Sequence, residues 1–176
     1  MVNHVVLVDE NDQEIGVEEK LKAHQKGLLH RAFSVFVFRK NKQIEVLLHK
    51  RNREKYHSGG LWTNACCSHP LLNRPLVDSA RIRLIEEMGL DLALKRVGVF
   101  QYRADLGNGL IENEMDHIFT GWWDGERIEI NLDEVESYRW VQVGLLLDEY
   151  EKTPEKFTAW FKEALQIALD AEGIHV

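Results

Sequence analysis

A chain of 176 residues is long enough to bury a core of its own and short enough to be one domain. Its 29 acidic against 22 basic residues leave a formal charge of -7, which argues against broad binding of a nucleic-acid backbone, so an anionic ligand would need a local basic cluster. The 44% of hydrophobic residues form no apolar run near the ~18 that a spanning helix requires, and the two cysteines are neighbours, a poor geometry for a disulfide.

The N-terminal residues, from Met1 to Val6, lack the basic flank and long apolar region of a secretory signal, and free thiols suit a reducing compartment. A cytoplasmic monomer with a small-molecule substrate, and without nucleic-acid or membrane partners, is the expectation. Residues 5–8 read as a short strand followed by a polar turn at 9–12, and residues 18–24 as a short helix that runs out near Gly27 with His24 at its end. His30 opens the next element. Residues 32–38 are a dense apolar and β-branched run of the kind found in a central strand buried on both faces, and residues 44–49 pair with it as a hairpin. Arg51, Arg53 and Lys55 then follow in a loop that ends at Ser58, Gly59 and Gly60, so positive charge collects in one place. A solvated run balanced by Glu54 is the plain alternative.

The stretch from Thr63 to Pro70, which contains Cys66, Cys67 and His69, is where reactive groups concentrate. In an extended segment side chains alternate, which puts Cys67 and His69 on one face and Cys66 and Ser68 on the other, and Pro70 ends the strand. The same octapeptide also fits a buried cysteine pair beside a core histidine. Residues 76–88 repeat apolar positions at helical spacing, with Gly89 where a left-handed cap belongs. Glu86 and Glu87 in its last turn oppose the helix dipole, a cost that a cation or the nearby Arg81 and Arg83 would offset. Two further strands, 97–103 and 110–123, flank a turn at 106–109. Glu112 and Glu114 then face the same side at close range, which needs a metal, a proton or a basic group between them. Residues 138–141 supply a late strand and 158–171 a C-terminal helix with Trp160 on its apolar side. Together His24, His30, His69, Glu112 and Glu114 form a ligand set suited to Zn²⁺, Mn²⁺ or Mg²⁺, although spacing does not itself bring them together.

The segments TNACCSHP, KAHQKGLLHRAFSVFVF, YRADLGNGLIENE and, more weakly, ARIRLIEEMGL resemble the type I isopentenyl-diphosphate isomerases of the Nudix superfamily, over most of the chain. The resemblance implies an α/β (α+β) fold, a Nudix-type mixed β-sheet sandwich with flanking helices in one compact domain spanning 1–176. Its core would run from about 30 to 150, with an N-terminal extension (1–29) supplying a metal ligand and a C-terminal helix over 154–171. The Nudix box is degenerate, since Ile82 and Arg83 stand in its first two places and only Glu86, Glu87 and Gly89 remain, which speaks against pyrophosphate hydrolysis.

The implied reaction converts isopentenyl to dimethylallyl diphosphate, in isoprenoid biosynthesis, through a tertiary carbocation. By resemblance, Cys67 is one acid/base group and metal-bound Glu114 working with Tyr102 the other, while His24, His30, His69, Glu112 and Glu114 hold one divalent ion. Glu87 would hold Mg²⁺ against the diphosphate, contacted also by Lys20, Arg51, Lys55 and Arg83, and Trp160 would line the hydrocarbon pocket. Glu114 and Tyr102 would deliver the first proton and Cys67 remove the second, although the two sides exchange roles if the reaction runs backward. Ser58 and Gly59 replace a Trp-Pro pair seen in some members. A module that binds metal without catalysis would instead leave Cys67 unreactive.

Overall fold

The computed structural model describes residues 3–55 and 57–175; the N-terminal expectation therefore touches Met1 and Val2, which lie outside the described residues. One strand organises the rest. β3 (His30–Lys40) is apolar at six of the seven positions from Ala32 to Phe38, a composition that suits burial on both faces, and all seven of these residues are buried. On one side it pairs in parallel with β8 (Leu110–Trp122), from His30 opposite Glu114 to Phe38 opposite Trp122. On its other side it pairs antiparallel with the short β6 (Cys66–Ser68), with Ser34 opposite Cys67, and near its end with β4 (Ile44–Arg51).

The remaining strands extend this sheet. β1 (His4–Val8) pairs with β2 (Glu14–Glu19) and touches β3 at Leu7 and His30. β7 (Lys95–Gly107) forms a long hairpin with β8, and β4 pairs with both β5 (Trp62–Thr63) and β9 (Val135–Gln142). Side-chain alternation along β3 sorts two cores. Phe36 and Phe38 pack with Ile118, Phe161 and Leu165, whereas Phe33, Val35 and Val37 pack with Cys66, Leu84, Met88 and Phe119. Helix α4 (Phe161–Glu172) covers the first face and α2 (Leu76–Met88) the second, which gives the mixed sheet flanked by helices expected from the resemblance. Among the described residues no helix is long and apolar enough to cross a membrane.

Several elements differ from the expectation. Glu18 and Glu19 belong to β2, and the short helix α1 starts only at Lys20 and ends at Lys26, capped by Gly27 in the left-handed region at φ 62. Arg51 is the last residue of β4 and not part of the following loop. Helix α3 (Val143–Lys152) has no counterpart in the sequence reading. The C-terminal helix does not begin at 154, because Pro154–Lys156 form a separate 3₁₀ turn and α4 starts after Trp160, which stands at its N-cap. Pro154 lacks the N–H that continuation of α3 would require, which separates the two helices.

Beneath the site, His49 on β4 is buried, and its Nδ1 donates to the Ala65 carbonyl at 2.9 Å. Burial outweighs that bond and pushes its pKa down to about 3. Since an unfolded histidine titrates near ~6.5, the unfolded chain takes up a proton that the fold refuses, and stability is lost as pH falls from there toward 3. Denaturant unfolding followed across this range is expected to show a slope that His49→Gln lowers by up to about one proton; an unchanged slope would contradict the neutral buried ring.

Candidate active site

The parallel register of β3 and β8 sets His30 directly opposite Glu114, and two-residue alternation carries Glu112 and Asp116 to the same face. His24 comes from α1 and His69 from the residues just after β6, so three separate segments bring imidazoles to this place. His24, His30, His69 and Glu114 are all buried and offer ligand atoms within 4.8 Å of one another. Glu112 joins a second such group, with His24 and His57. The structure thus brings the predicted ligands to one region, split into two overlapping groups, and adds His57, which the sequence reading missed.

Hydrogen-bond wiring tests whether these groups suit a cation. His24 Nδ1 lies 2.7 Å from the Lys20 carbonyl and His30 Nδ1 2.8 Å from the Leu28 carbonyl. A carbonyl only accepts, so both Nδ1 atoms carry hydrogen, and Nε2 is the atom of each ring left to face an ion. His30 Nε2 then lies 3.3 Å from Glu114 Oε1, two electron-rich atoms that repel unless positive charge sits between them. The separations from Glu114 to His69 (2.9 Å) and from Glu112 to His57 (3.6 Å) fall in the same range. Neighbouring ligands around one ion, each about 2.0 to 2.2 Å from it, are separated by about 3 to 3.5 Å. Glu112 Oε2, buried, has no hydrogen-bond partner among the described residues. The residues fit a divalent ion.

Titration behaviour follows from the same geometry. Burial holds His24 below its ordinary pKa and pushes His69 down to about 3, and burial with Arg51 nearby pushes His57 to about 2, which leaves these rings neutral as ligands must be. Burial and the neighbouring charge of Glu114 hold Glu112 well above the usual carboxylate range. For Glu114 burial acts upward too, but His30 and His69 outweigh it and keep this carboxylate ionised. Tyr102 donates its hydroxyl to Glu114 Oε2 at 2.6 Å, and burial followed by the carboxylates around it keeps the phenol protonated. Tyr102 reaches the site through Glu114, and its ring stands 6.1 Å from that of Trp160.

A cavity of about 350 Å³ opens beside these groups, lined among others by Cys67, His69, Glu112, Glu114 and Trp160. Cys66 points into the core instead, as strand alternation requires. Lys20, Arg51, Lys55 and Arg83, the four cations that the resemblance implies, also line the cavity, with acidic neighbours; of the loop cluster Arg51, Arg53 and Lys55 read from the residues, two members reach it. Lys55 pairs with Glu134, and Arg83 with Glu86 and Glu87. Arg53, by contrast, is exposed and pairs with Glu136. Burial, then Lys55 and Arg51, push Lys20 down to about 8, the mark of cations crowded together and suited to an anion. Glu87 is buried against Arg83 Nη2 at 2.7 Å and lines the cavity.

Asn64 is the other residue that sequence reasoning passed over, although it lies within the quoted TNACCSHP motif. Its Nδ2 donates to the carbonyls of Val35 (3.1 Å) and Cys66 (2.8 Å), which fixes the amide orientation. Its Oδ1 then accepts from Cys67 Sγ at 3.0 Å, Thr63 Oγ1 at 2.9 Å and Trp160 Nε1 at 3.2 Å. Burial pushes the Cys67 thiol up to about 12, consistent with a sulfhydryl that donates. One amide thus holds a thiol and an indole on the same wall.

Comparison with known proteins places this geometry. The NUDIX domain model matches residues 28–161. The fold is shared with a protein from Deinococcus radiodurans, at a TM-score of 0.72 and 13% identity over 94% of this chain and 97% of that one. It is shared also with a MutT protein from Methanosarcina mazei Go1, at 0.65 and 16% over 84% and 96%. Sequence relatives are nearer. Isopentenyl-diphosphate Delta-isomerase 2 of Photorhabdus laumondii is 50% identical over 92% of this chain and 89% of its own. The isopentenyl-diphosphate Delta-isomerase of Pectobacterium atrosepticum is 48% identical over 92% and 88%, and isopentenyl-diphosphate Delta-isomerase 2 of Aromatoleum aromaticum 43% over 99% and 91%. The chain is a Nudix-domain protein, and within that class it belongs to the isopentenyl-diphosphate Delta-isomerase family.

Asn64→Ala removes the acceptor of three side-chain donors, and urea unfolding should show a loss of roughly 1 to 3 kcal/mol, since the buried donors lose their partner. A stability within ~0.5 kcal/mol of the parent would show that water replaces the amide.

Proposed function

We propose how this chain isomerises isopentenyl diphosphate to dimethylallyl diphosphate, the reaction of its family. A proton is added at the terminal methylene carbon and another removed from the carbon next to the ester-bearing one, with Cys67 and Glu114 as the two groups. What carries the reading is that a half-buried thiol and a buried carboxylate line one cavity together with four cationic side chains.

The diphosphate binds among Lys20, Arg51, Lys55 and Arg83, with Mg²⁺ held against it at Glu87. Each of these cations has lost hydration to the fold, and an anion restores the balance. His24, His30, His69, Glu112 and Glu114 hold a second divalent ion, Mn²⁺, Zn²⁺ or Mg²⁺. That ion, when bound, supplies positive charge that draws electron density from the Glu114 carboxylate. Tyr102, hydrogen-bonded to Glu114, passes it a proton or holds it in place. Trp160 presents its ring to the cationic centre, worth ~2 kcal/mol where water is excluded. Arg51, 5.7 Å from that ring, lies on the diphosphate side. In this order Glu114 with Tyr102 protonates the alkene, and Cys67 takes the second proton.

A second order is favoured by one observation: Cys67 donates its hydrogen to Asn64, and it is therefore the protonated member of the pair at rest. The thiol would then deliver the proton and Glu114 remove one. Deuterium exchange separates the orders. A variant that lacks the proton remover still forms the cation and reverts, so isopentenyl diphosphate recovered from D₂O gains deuterium at its terminal carbon; a variant that lacks the donor shows none. Exchange by Cys67→Ala assigns the donor role to the Glu114 side, and exchange by Glu114→Gln assigns it to Cys67. Either substitution should lower kcat by about 10²- to 10⁴-fold, and a fully active Cys67→Ala enzyme would defeat the pairing.

Diphosphate capture is tested independently of the chemical step. Lys20 in the free enzyme loses its charge as pH rises through about 8, so kcat/KM should fall above that pH. Lys20→Met should abolish that limb while raising KM, and persistence of the limb would assign it to another group.

A further inference from the structure

We propose that His57 is a further ligand of the divalent ion, so that four imidazoles and two carboxylates surround it. The inference rests on the reading above that His24, His30, His69, Glu112 and Glu114 hold an ion. It goes beyond that reading, because His57 belongs to none of the family-like segments that led to those five residues.

Glu112 shows why His57 must be included. The compact group of His24, His30, His69 and Glu114 does not contain it; Glu112 meets His24 in a separate group whose third member is His57. His24 is common to both, so one ion held by all the expected ligands draws in Glu112, and His57 accompanies it at 3.6 Å from Nε2 to Oε1. His57 has the features of its neighbours. It is buried, its ring stacks 5.8 Å from that of His24 at 29°, and its Nδ1 is engaged by Ser58 Oγ at 3.2 Å, leaving Nε2 toward Glu112. Arg51 Nη2 donates to the His57 carbonyl at 3.4 Å and so ties this loop to the end of β4.

The consequence concerns what the ion can do. Six protein groups would leave the ion no open position for water or for a diphosphate oxygen. The ion would act on the substrate only through Glu114, whose orientation and charge it sets. A nitrogen-rich shell also selects Zn²⁺ or Mn²⁺ over Mg²⁺, which prefers oxygen ligands and retains water.

Pulsed electron paramagnetic resonance of the Mn²⁺-loaded full chain, with ¹⁵N-labelled histidine, counts the imidazoles bound to the ion. Four are expected in the parent protein and three in His57→Ala and His57→Gln. Chelator competition should show Mn²⁺ and Zn²⁺ bound at least about 10-fold more weakly by both variants, since even an outer partner is worth about 10- to 100-fold. Glutamine retains an N–H for Glu112 without a ring nitrogen; if it restores parental affinity, His57 only orients the carboxylate and the proposal is overturned. Three imidazoles in the parent protein overturn it as well, and this count does not depend on either variant folding. A parent chain that binds no divalent ion would remove the underlying metal reading with it, whereas an ion held by three imidazoles removes only the assignment of His57.

Discussion

The parallel pairing of β3 with β8 is the constraint on which the site depends. It sets His30 opposite Glu114, and the antiparallel pairing on the other side of β3 sets Ser34 opposite Cys67. Both reactive groups of the proposed mechanism are therefore positioned from the same strand, with four residues, or about 13 Å, between the two reference points. A slip of one residue in the β8 register would turn Glu112, Glu114 and Asp116 to the opposite face, toward the core of Phe33, Val35 and Leu84. The apolar side chains that fill both faces of β3 oppose such a slip, since it would place Ile118 and Phe119 in each other's core.

Around this frame the molecule concentrates charge where burial makes charge expensive. Glu112, Glu114 and Asp116 share one face of β8 and are all buried; hydroxyls reach two of them, that of Tyr102 at Glu114 (2.6 Å) and that of Ser34 at Asp116 (2.8 Å). Lys20, Arg51, Lys55 and Arg83 stand across the same cavity, with Glu87 and Glu134 between them. A chain of net charge -7 has thus gathered a local excess of both signs in one place. Burial of this kind seldom stabilises a fold, and it is the usual signature of groups that wait for an ion or a charged ligand.

Much of this was legible beforehand wherever a short period or a cap carried the information. The helix over 76–88 was read to the residue because apolar spacing and Gly89 mark both its face and its end. Alternation separated Cys67 from Cys66 and put Glu112 beside Glu114, and the structure keeps both arrangements. β2 was missed because Glu14, Glu18 and Glu19 make an edge strand with no buried residue and hence no apolar alternation. Helix α3 was missed because three consecutive leucines obscure its period; Leu146 is buried while Leu145 is 59% exposed. His57 and Asn64 carried no spacing signal, since the contacts of His57 with His24 and Glu112, and of Asn64 with Val35 and Trp160, join segments far apart along the chain.

The sequence by itself determined the local matters: the elements with a clear period, the turn at Gly27, the face on which each strand residue falls, and the family through four short segments. Those properties depend on neighbours within a few residues and on backbone geometry that repeats. Only the tertiary structure decided that Glu112 and His57 meet at His24, that one amide holds both Cys67 and Trp160, and that four cations line one cavity. Each of these is a relation between segments joined by long connections, set by the register of a parallel strand pair and by helix packing, which no local pattern encodes.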